Sequence, residues 1–134
     1  MTTQVPSSLK PALVIIYNHN YPRNIERIEW LYKGRFSKVV HIIPFYNGRK
    51  ENVIPVYENS HYFSGYVAQA YRRLELVDCD SFLFIADDMI LNPCINQSNT
   101  QSILNVDQDT SFISAIQQFH KCESFWMRCR DAIL

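Results

Sequence analysis

The sequence predicts an α/β fold with a mainly parallel β-sheet, and three observations support this prediction. Short apolar runs with β-branched centres alternate with segments of helical period, which is the order typical of a parallel sheet and its helices. Apolar residues make up 47% of the chain and charged residues 19%, a balance that favours a folded core. The 134 residues fit a single domain, which we place at 1–134.

The first half of the chain opens with a polar arm, after which the first strand is predicted at Ala12–Tyr17. Its unbroken apolar run indicates a strand buried on both faces. A polar loop, Asn18–Pro22, leads into a helix whose apolar face includes Ile25 and Tyr32. Gly34 follows that face at the position where a helix commonly ends, so the helix is predicted to stop there.

Two further strands are predicted in the middle of the chain, at Lys38–Phe45 and Val53–Tyr57. Pro55 places the second of them towards an edge of the sheet, because proline cannot donate a hydrogen bond to a neighbouring strand. The turn residues Asn47-Gly48 leave an alternative open, in which these two strands pair as an antiparallel hairpin.

The second half begins with a helix predicted from Ser60, with Asn59 or Ser60 as its cap. The residues predicted to form its apolar face recur at helical spacing: Phe63, Val67, Tyr71, Leu74, and Val77 or Asp78. A fourth apolar strand is predicted at Ser81–Ala86, and it is expected to be a buried, interior strand of the sheet. Residues 92–105 are rich in Asn, Gln, Ser and Thr and are predicted as a polar loop, and a last helix is predicted from Thr110.

Composition excludes several classes of function. The chain has only three glycines and no two are close, which excludes the glycine-rich phosphate loops of NAD-binding and P-loop proteins. Its net charge is zero, so no nucleic-acid partner is predicted. No signal-peptide pattern is visible, no apolar run could span a bilayer, and the four cysteines lack zinc spacing. We therefore predict a cytoplasmic protein with reduced cysteines and no transmembrane segment, and leave peripheral attachment to a membrane open.

The candidate site follows from the predicted sheet. In open parallel sheets ligands bind beyond the carboxyl ends of the strands, where the segments Asn18–Asn20, Phe45–Asn47 and Asp87-Asp88 are expected. The two aspartates come directly after an apolar strand, and adjacent carboxylates repel each other unless a cation or a proton intervenes. Mg²⁺ and Mn²⁺ prefer such oxygen ligands. The alternative is an Asp pair that only begins a turn.

These residues carry a resemblance to a known family. The segment Phe82–Leu91, an apolar strand that delivers Asp87-Asp88, resembles the D-x-D region of the GT-A-fold nucleotide-diphosphosugar transferases. The first Asp of that motif falls on Ala86, so this position departs from the family pattern. Asp88 matches the last Asp, which is usually the metal ligand, and Asp87 matches the middle position.

The resemblance implies a Rossmann-like three-layer α/β/α, GT-A-like fold and a hexosyltransferase-like activity. It implies a divalent cation, Mn²⁺ or Mg²⁺, at Asp88 and Asp87, a UDP- or GDP-linked sugar donor and an unknown acceptor. The resemblance places a donor site at Tyr17, Asn18, His19, Asn20, Asn47, His61, Ser64 and Asp87. The family often carries an acid after the second strand, and this chain departs from that pattern with Phe45-Tyr46-Asn47. No catalytic base is assigned.

Two alternatives stay open at this level. The first is a non-catalytic α/β binding or scaffold domain of the same fold. The second concerns extent: the resemblance covers about residues 12–93, whereas members of the family have a second half that supplies the acceptor pocket. The chain is therefore expected to be either a fragment or a reduced nucleotide-binding half.

Overall fold

The computed structural model of the protein describes residues 10–106. This part of the chain folds as four strands and three α-helices, and a 3-10 turn at Ser60–Tyr62 leads into the second helix. The elements in chain order are β1 (Pro11–Ile16), α1 (Asn24–Tyr32), β2 (Val39–Pro44), β3 (Val53–Val56), α2 (Phe63–Leu74), β4 (Ser81–Ala86) and α3 (Thr100–Leu104). None of these helices combines the length and the apolar character that a bilayer crossing would need.

The four strands form one sheet in the order β3-β2-β1-β4, and every neighbouring pair is parallel. Ile15, near the centre, lies opposite His41 on one side and Ile85 on the other. The predicted α/β fold with a parallel sheet is therefore confirmed. After β1 the chain adds β2 and β3 on one side of it, and then returns to place β4 on the other side.

Successive residues of each strand point to opposite faces of the sheet, and their apolar side chains build a separate core on each face. One core joins α1 to strand residues such as Leu13, Ile15 and Ile43. The other joins α2 to residues such as Val14 and Ile42. The predicted burial of the first strand on both faces is thus confirmed, since Ala12 through Ile15 are all buried. Gly34 has a φ of +76°, the left-handed conformation expected just after a helix end.

The buried face of α2 agrees with the prediction at Leu74 and differs from it elsewhere. Tyr66, Ala70 and Leu74 contact the sheet, whereas Tyr71 is 57% exposed and Phe63 is also exposed. The predicted stripe passed over both Tyr66 and Ala70, which are fully buried. The small Ala70 side chain lets the helix axis approach the sheet closely, so the stripe through that residue is the one that packs.

The alternative hairpin between the second and third strands is wrong, because β2 and β3 are parallel. The chain needs only residues 45–52 to return from the end of β2 to the start of the short strand β3. Glu29 of α1 fixes this return, since its carboxylate accepts a hydrogen bond from Asn52 Nδ2 at 2.8 Å and pairs with Lys50 Nζ at 3.3 Å. The predicted edge position of Pro55 agrees with the place of β3 at one end of the strand order.

Strand β4 has the predicted bounds but not the predicted burial. Within residues 10–106 it is the last strand on its side of the sheet, and only Ile85 among its residues is buried. Phe82 and Phe84 are 37% and 40% exposed on the face that carries α2. The reason is that α2 contacts β3 and β2, so it does not cover this strand. An apolar run shows that a strand avoids water, but not which element covers it.

The segment predicted as a polar loop at 92–105 includes α3 and many internal hydrogen bonds. Asn96 and Asn99 stabilise its turns. For example, the backbone N–H of Asn96 donates to Asn99 Oδ1 at 2.8 Å. Arg35, just after α1, anchors the segment through carbonyl oxygens, as with Asn92 O at 2.7 Å from Nη2. The last helix, predicted from Thr110, lies outside the described residues.

Candidate ligand site at the carboxyl edge of the sheet

The loops that follow the strands lie together at one edge of the sheet, which we call the carboxyl edge. Between β1 and β4 the strand order changes direction, and in open α/β sheets the ligand crevice lies at such a point. The loop after β1 includes Asn18, and the segment after β4 begins with Asp87 and Asp88. The strand pairing therefore brings these three residues to the same place, as the sequence predicted.

Asp87 is turned towards the β1 loop. Its backbone N–H donates to Ile16 O at 3.0 Å, which extends the ladder between the two strands, and its Oδ1 accepts from the Asn18 N–H at 3.4 Å. Burial raises the pKa of the Asp87 carboxyl, and the Asp88 charge adds to this, while the Asn18 hydrogen bond and the His19 charge act in the opposite direction. A neighbouring cation would therefore relieve a carboxylate that is half-buried beside a second one.

Asp88 is exposed, in contrast to its half-buried neighbour. Among residues 10–106 no group of three or more His, Cys, Asp and Glu side chains is arranged to hold a metal ion. Mg²⁺ in nucleotide complexes is commonly held by one or two carboxylates together with phosphate oxygens. The donor set of Asp87 and Asp88 thus fits a cation that is shared with a phosphate ligand, rather than one enclosed by protein alone.

The loop after β1 links the ends of three strands. Asn18 is half-buried, while His19 and Asn20 are exposed. Asn20 Nδ2 donates to Phe45 O at 2.8 Å and so joins this loop to the end of β2. Together with the contact between Asn18 and Asp87, this bond makes the loop a bridge from the β2 side of the carboxyl edge to the β4 side.

Tyr17 lies beneath the carboxyl edge. Its side chain is fully buried, and its hydroxyl lies 3.0 Å from His41 Nδ1 in the core. Glu29 Oε1 is 3.6 Å from the other ring nitrogen, Nε2. The carboxylate favours the tautomer with a proton on Nε2, in which the Tyr17 hydroxyl donates to Nδ1. Tyr17 therefore supports the site from below, and any direct contact with a ligand falls to its neighbours.

The end of β2 carries a feature that the sequence did not predict. Phe45 adopts a φ of +53°, a left-handed conformation that is a genuine outlier for a bulky residue. The residue is 56% exposed, and its ring meets the ring of Tyr57, which follows β3, edge to face at 6.2 Å between centroids. We call Phe45 and Tyr57 the aromatic pair. Asn47, the predicted site residue nearby, is exposed.

His61 and Ser64 lie on the β3 side of the carboxyl edge. His61 belongs to the 3-10 turn, where its N–H donates to Asn59 Oδ1 at 3.0 Å, which confirms the predicted cap. Ser64 is exposed in the first turn of α2. Strands β3 and β4 are at opposite ends of the sheet, three spacings or roughly 14 Å apart. These two residues are therefore not brought together with the aspartates.

A small cavity of about 190 Å³ opens beside the acidic pair, between α1 and the segment after β4. Asp87 lines it together with Asn24 and Arg27 of α1, and Ile15 and Ile90 are among its apolar lining residues. Sequence reasoning missed Asn24 and Arg27, because their helical positions gave no sign that α1 lines a cavity together with the segment after β4.

Comparison of the chain with protein-family models, with curated proteins and with solved structures finds no match in any of the three.

Proposed function

We propose that the protein binds a nucleoside diphosphate sugar at the carboxyl edge of a GT-A-like, three-layer α/β/α domain, and transfers the sugar to an acceptor. One observation carries this proposal. Asp87 and Asp88 lie with the β1 loop at the point where the order of a parallel sheet changes direction, and Asn18 binds Asp87 across that point. This is where such sheets bind nucleotides.

The residues at this point have different proposed roles in binding a diphosphate. Asp88 is exposed and is the residue we assign to a Mg²⁺ or Mn²⁺ ion, with Asp87 behind it. When bound, the cation neutralises negative charge on the departing diphosphate. Asn18 keeps the Asp87 carboxylate in place through its N–H. The exposed His19 imidazole, whose charge acts on Asp87, would contact a phosphate oxygen.

Other parts of the carboxyl edge would bind the sugar and the nucleoside of the donor. The crevice between β1 and β4 opens into the cavity lined by Asn24, Arg27 and Asp87, whose polar groups could hydrogen-bond to sugar hydroxyls. The nucleoside would extend in the other direction, across the ends of β1 and β2. Asn20 and Asn47 are exposed on that side and offer amide donors and acceptors.

Substitution of Asp88 by Asn tests the proposal. We expect wild-type protein to bind UDP or GDP in the presence of Mn²⁺, and D88N to lose at least about tenfold in affinity, or ~1.4 kcal/mol. The amide keeps the size of the side chain but removes the charge that attracts the cation. Isothermal titration calorimetry with and without Mn²⁺ measures both effects.

Asp78 provides the matched control, because it is also exposed but lies before β4, at the opposite edge of the sheet. D78N should bind nucleotide as the wild type does. The proposal fails if folded wild-type protein binds neither nucleotide, or if D88N and D78N bind with the same affinity and the same dependence on Mn²⁺.

A further inference from the structure

We propose that the aromatic pair, Phe45 and Tyr57, is the stacking surface for the base of the nucleotide. This inference rests on the proposed function and adds to it the place and the means of base recognition. The base would stack on the exposed ring of Phe45 with Tyr57 beside it, while the diphosphate lies at Asp88.

The backbone of Phe45 is the first argument. A left-handed conformation costs a non-glycine residue energy, and such residues persist only where the surrounding structure fixes them. Two hydrogen bonds fix this one: the Phe45 N–H donates to Val56 O at 2.8 Å, and Phe45 O accepts from Asn20 Nδ2 at 2.8 Å. The strained conformation does not bury the residue, which is 56% exposed.

The geometry of the pair is the second argument. The two rings are inclined at 72°, so the edge of one meets the face of the other and part of the aromatic surface stays free. Tyr57 is 70% exposed, and its backbone is held by a hydrogen bond from its N–H to Gln69 Oε1 at 2.7 Å. Exposed rings on a fixed backbone offer stacking area with little ordering cost, and every base has a face that can stack.

The distance to the acidic pair is the third argument. Phe45 follows β2 and Asp88 follows β4, and the two strands are separated only by β1. Their ends are therefore two strand spacings apart, or about 10 Å. A nucleoside diphosphate is long enough to place its base at one end of this distance and its diphosphate at the other. The β1 loop, through Asn18 and Asn20, contacts both ends.

The chemistry of the neighbouring residues favours stacking over charged recognition. The residues after β2 read Phe45-Tyr46-Asn47 and include no carboxylate that could accept hydrogen bonds from a base. Asn47 is exposed and offers one amide. Recognition through ring faces tolerates different bases, so we expect UDP and GDP to bind with similar affinity.

The test compares a probe that has a base with one that has none. Phe45→Asn removes the ring and leaves a residue that accepts the left-handed conformation, and Tyr57→Ala removes its partner. With Mn²⁺ present, each variant should bind UDP about 5- to 150-fold more weakly, which corresponds to ~1–3 kcal/mol. Inorganic pyrophosphate should bind the variants as it binds the wild type. Thermal unfolding of each variant verifies that it folds.

Trp30 is the matched control, since its ring is 77% exposed on α1 and belongs to no part of the site. Trp30→Ala should leave both affinities unchanged. If wild-type protein binds UDP and both variants bind it equally well, this inference is overturned while the proposed function stands. If the variants lose affinity for pyrophosphate as much as for UDP, the aromatic pair maintains the structure of the carboxyl edge and does not bind the base. That result also overturns the inference. If the wild type binds neither probe, both fail.

Discussion

Acidification from pH 6.5 to pH 4 is expected to lower the free energy of unfolding by about 3 kcal/mol through His41 alone. The imidazole is fully buried in β2, under α1. Burial lowers the pKa of His41 to about 4; the nearby Lys50 charge acts in the same direction, and Glu29 opposes it. Folded protein therefore keeps this residue neutral well below its ordinary pKa.

The direction of the effect follows from proton binding. In the unfolded chain His41 titrates at its ordinary pKa of 6.5, so between pH 6.5 and pH 4 the unfolded state binds a proton that the folded state does not. Stability is thus complete above pH 6.5, falls with decreasing pH, and the loss through this residue ends near pH 4. Glu29 adds to the loss in acid. Burial acts to raise the pKa of its carboxyl, but the hydrogen bonds from Asn52 and Lys50, together with the charges of Lys50 and His41, hold that pKa below its usual value.

Urea unfolding at a series of pH values measures this dependence. The matched variant is the double substitution Tyr17→Phe and His41→Leu, which replaces both members of the buried hydrogen bond and leaves no polar atom without its partner. Its unfolding free energy should change much less between pH 6.5 and pH 4. An equal decrease in the variant and the wild type would show that His41 is not the residue responsible.

Substitution of Arg35 by Met is expected to cost about 2–3 kcal/mol of stability. The guanidinium donates to Asn92 O at 2.7 Å and to Ile95 O at 2.8 Å from Nη2 and 3.0 Å from Nε, and it lies 4.9 Å from the ring centroid of Tyr32. Met keeps the apolar stem of the side chain but leaves these carbonyls without their charged donor. The change should release the segment after β4 from α1.

Thermal and urea unfolding give the global effect, and amide hydrogen exchange gives the local one. The Gln97 N–H, which donates to Arg35 O at 2.8 Å, should exchange faster in R35M. Arg35→Lys should restore only part of the stability, because an ammonium group cannot reproduce the planar fork of donors. Arg27 is exposed on α1 and serves as the control. A loss of stability in R27M as large as in R35M would contradict the assigned role.

The sequence predicted the elements well where local pattern determines them. β1 was recognisable because residues buried on both faces must be apolar without interruption. β2 was recognisable from the apolar residues on both sides of His41, and Gly34 marked the end of α1. The covering of β4 and the buried face of α2 were mispredicted for a common reason. Both depend on which element lies opposite, and periodicity does not contain that information.

Some residues of the candidate site could likewise be predicted from local pattern, and others could not. Asp87 and Asp88 could be placed at the carboxyl edge, because they follow a strand directly. The conformation of Phe45 could not be predicted, since it depends on hydrogen bonds from Asn20 and to Val56 that only the folded chain brings together. The carbonyls that bind Arg35 lie about sixty residues away in sequence, and no local pattern marks them.

The most direct test of the central claim locates the ligand on the protein. Uniformly ¹⁵N-labelled protein would be titrated with UDP in the presence of Mg²⁺ while the amide signals are followed by NMR. We expect the largest shifts at Asn18, Asp87 and Asp88, with further shifts at Phe45 and Tyr57, because these residues line the carboxyl edge. Shifts confined to the opposite edge, near Ser37 and Asp78, or no shifts at all, would contradict a nucleotide site at the end of this sheet.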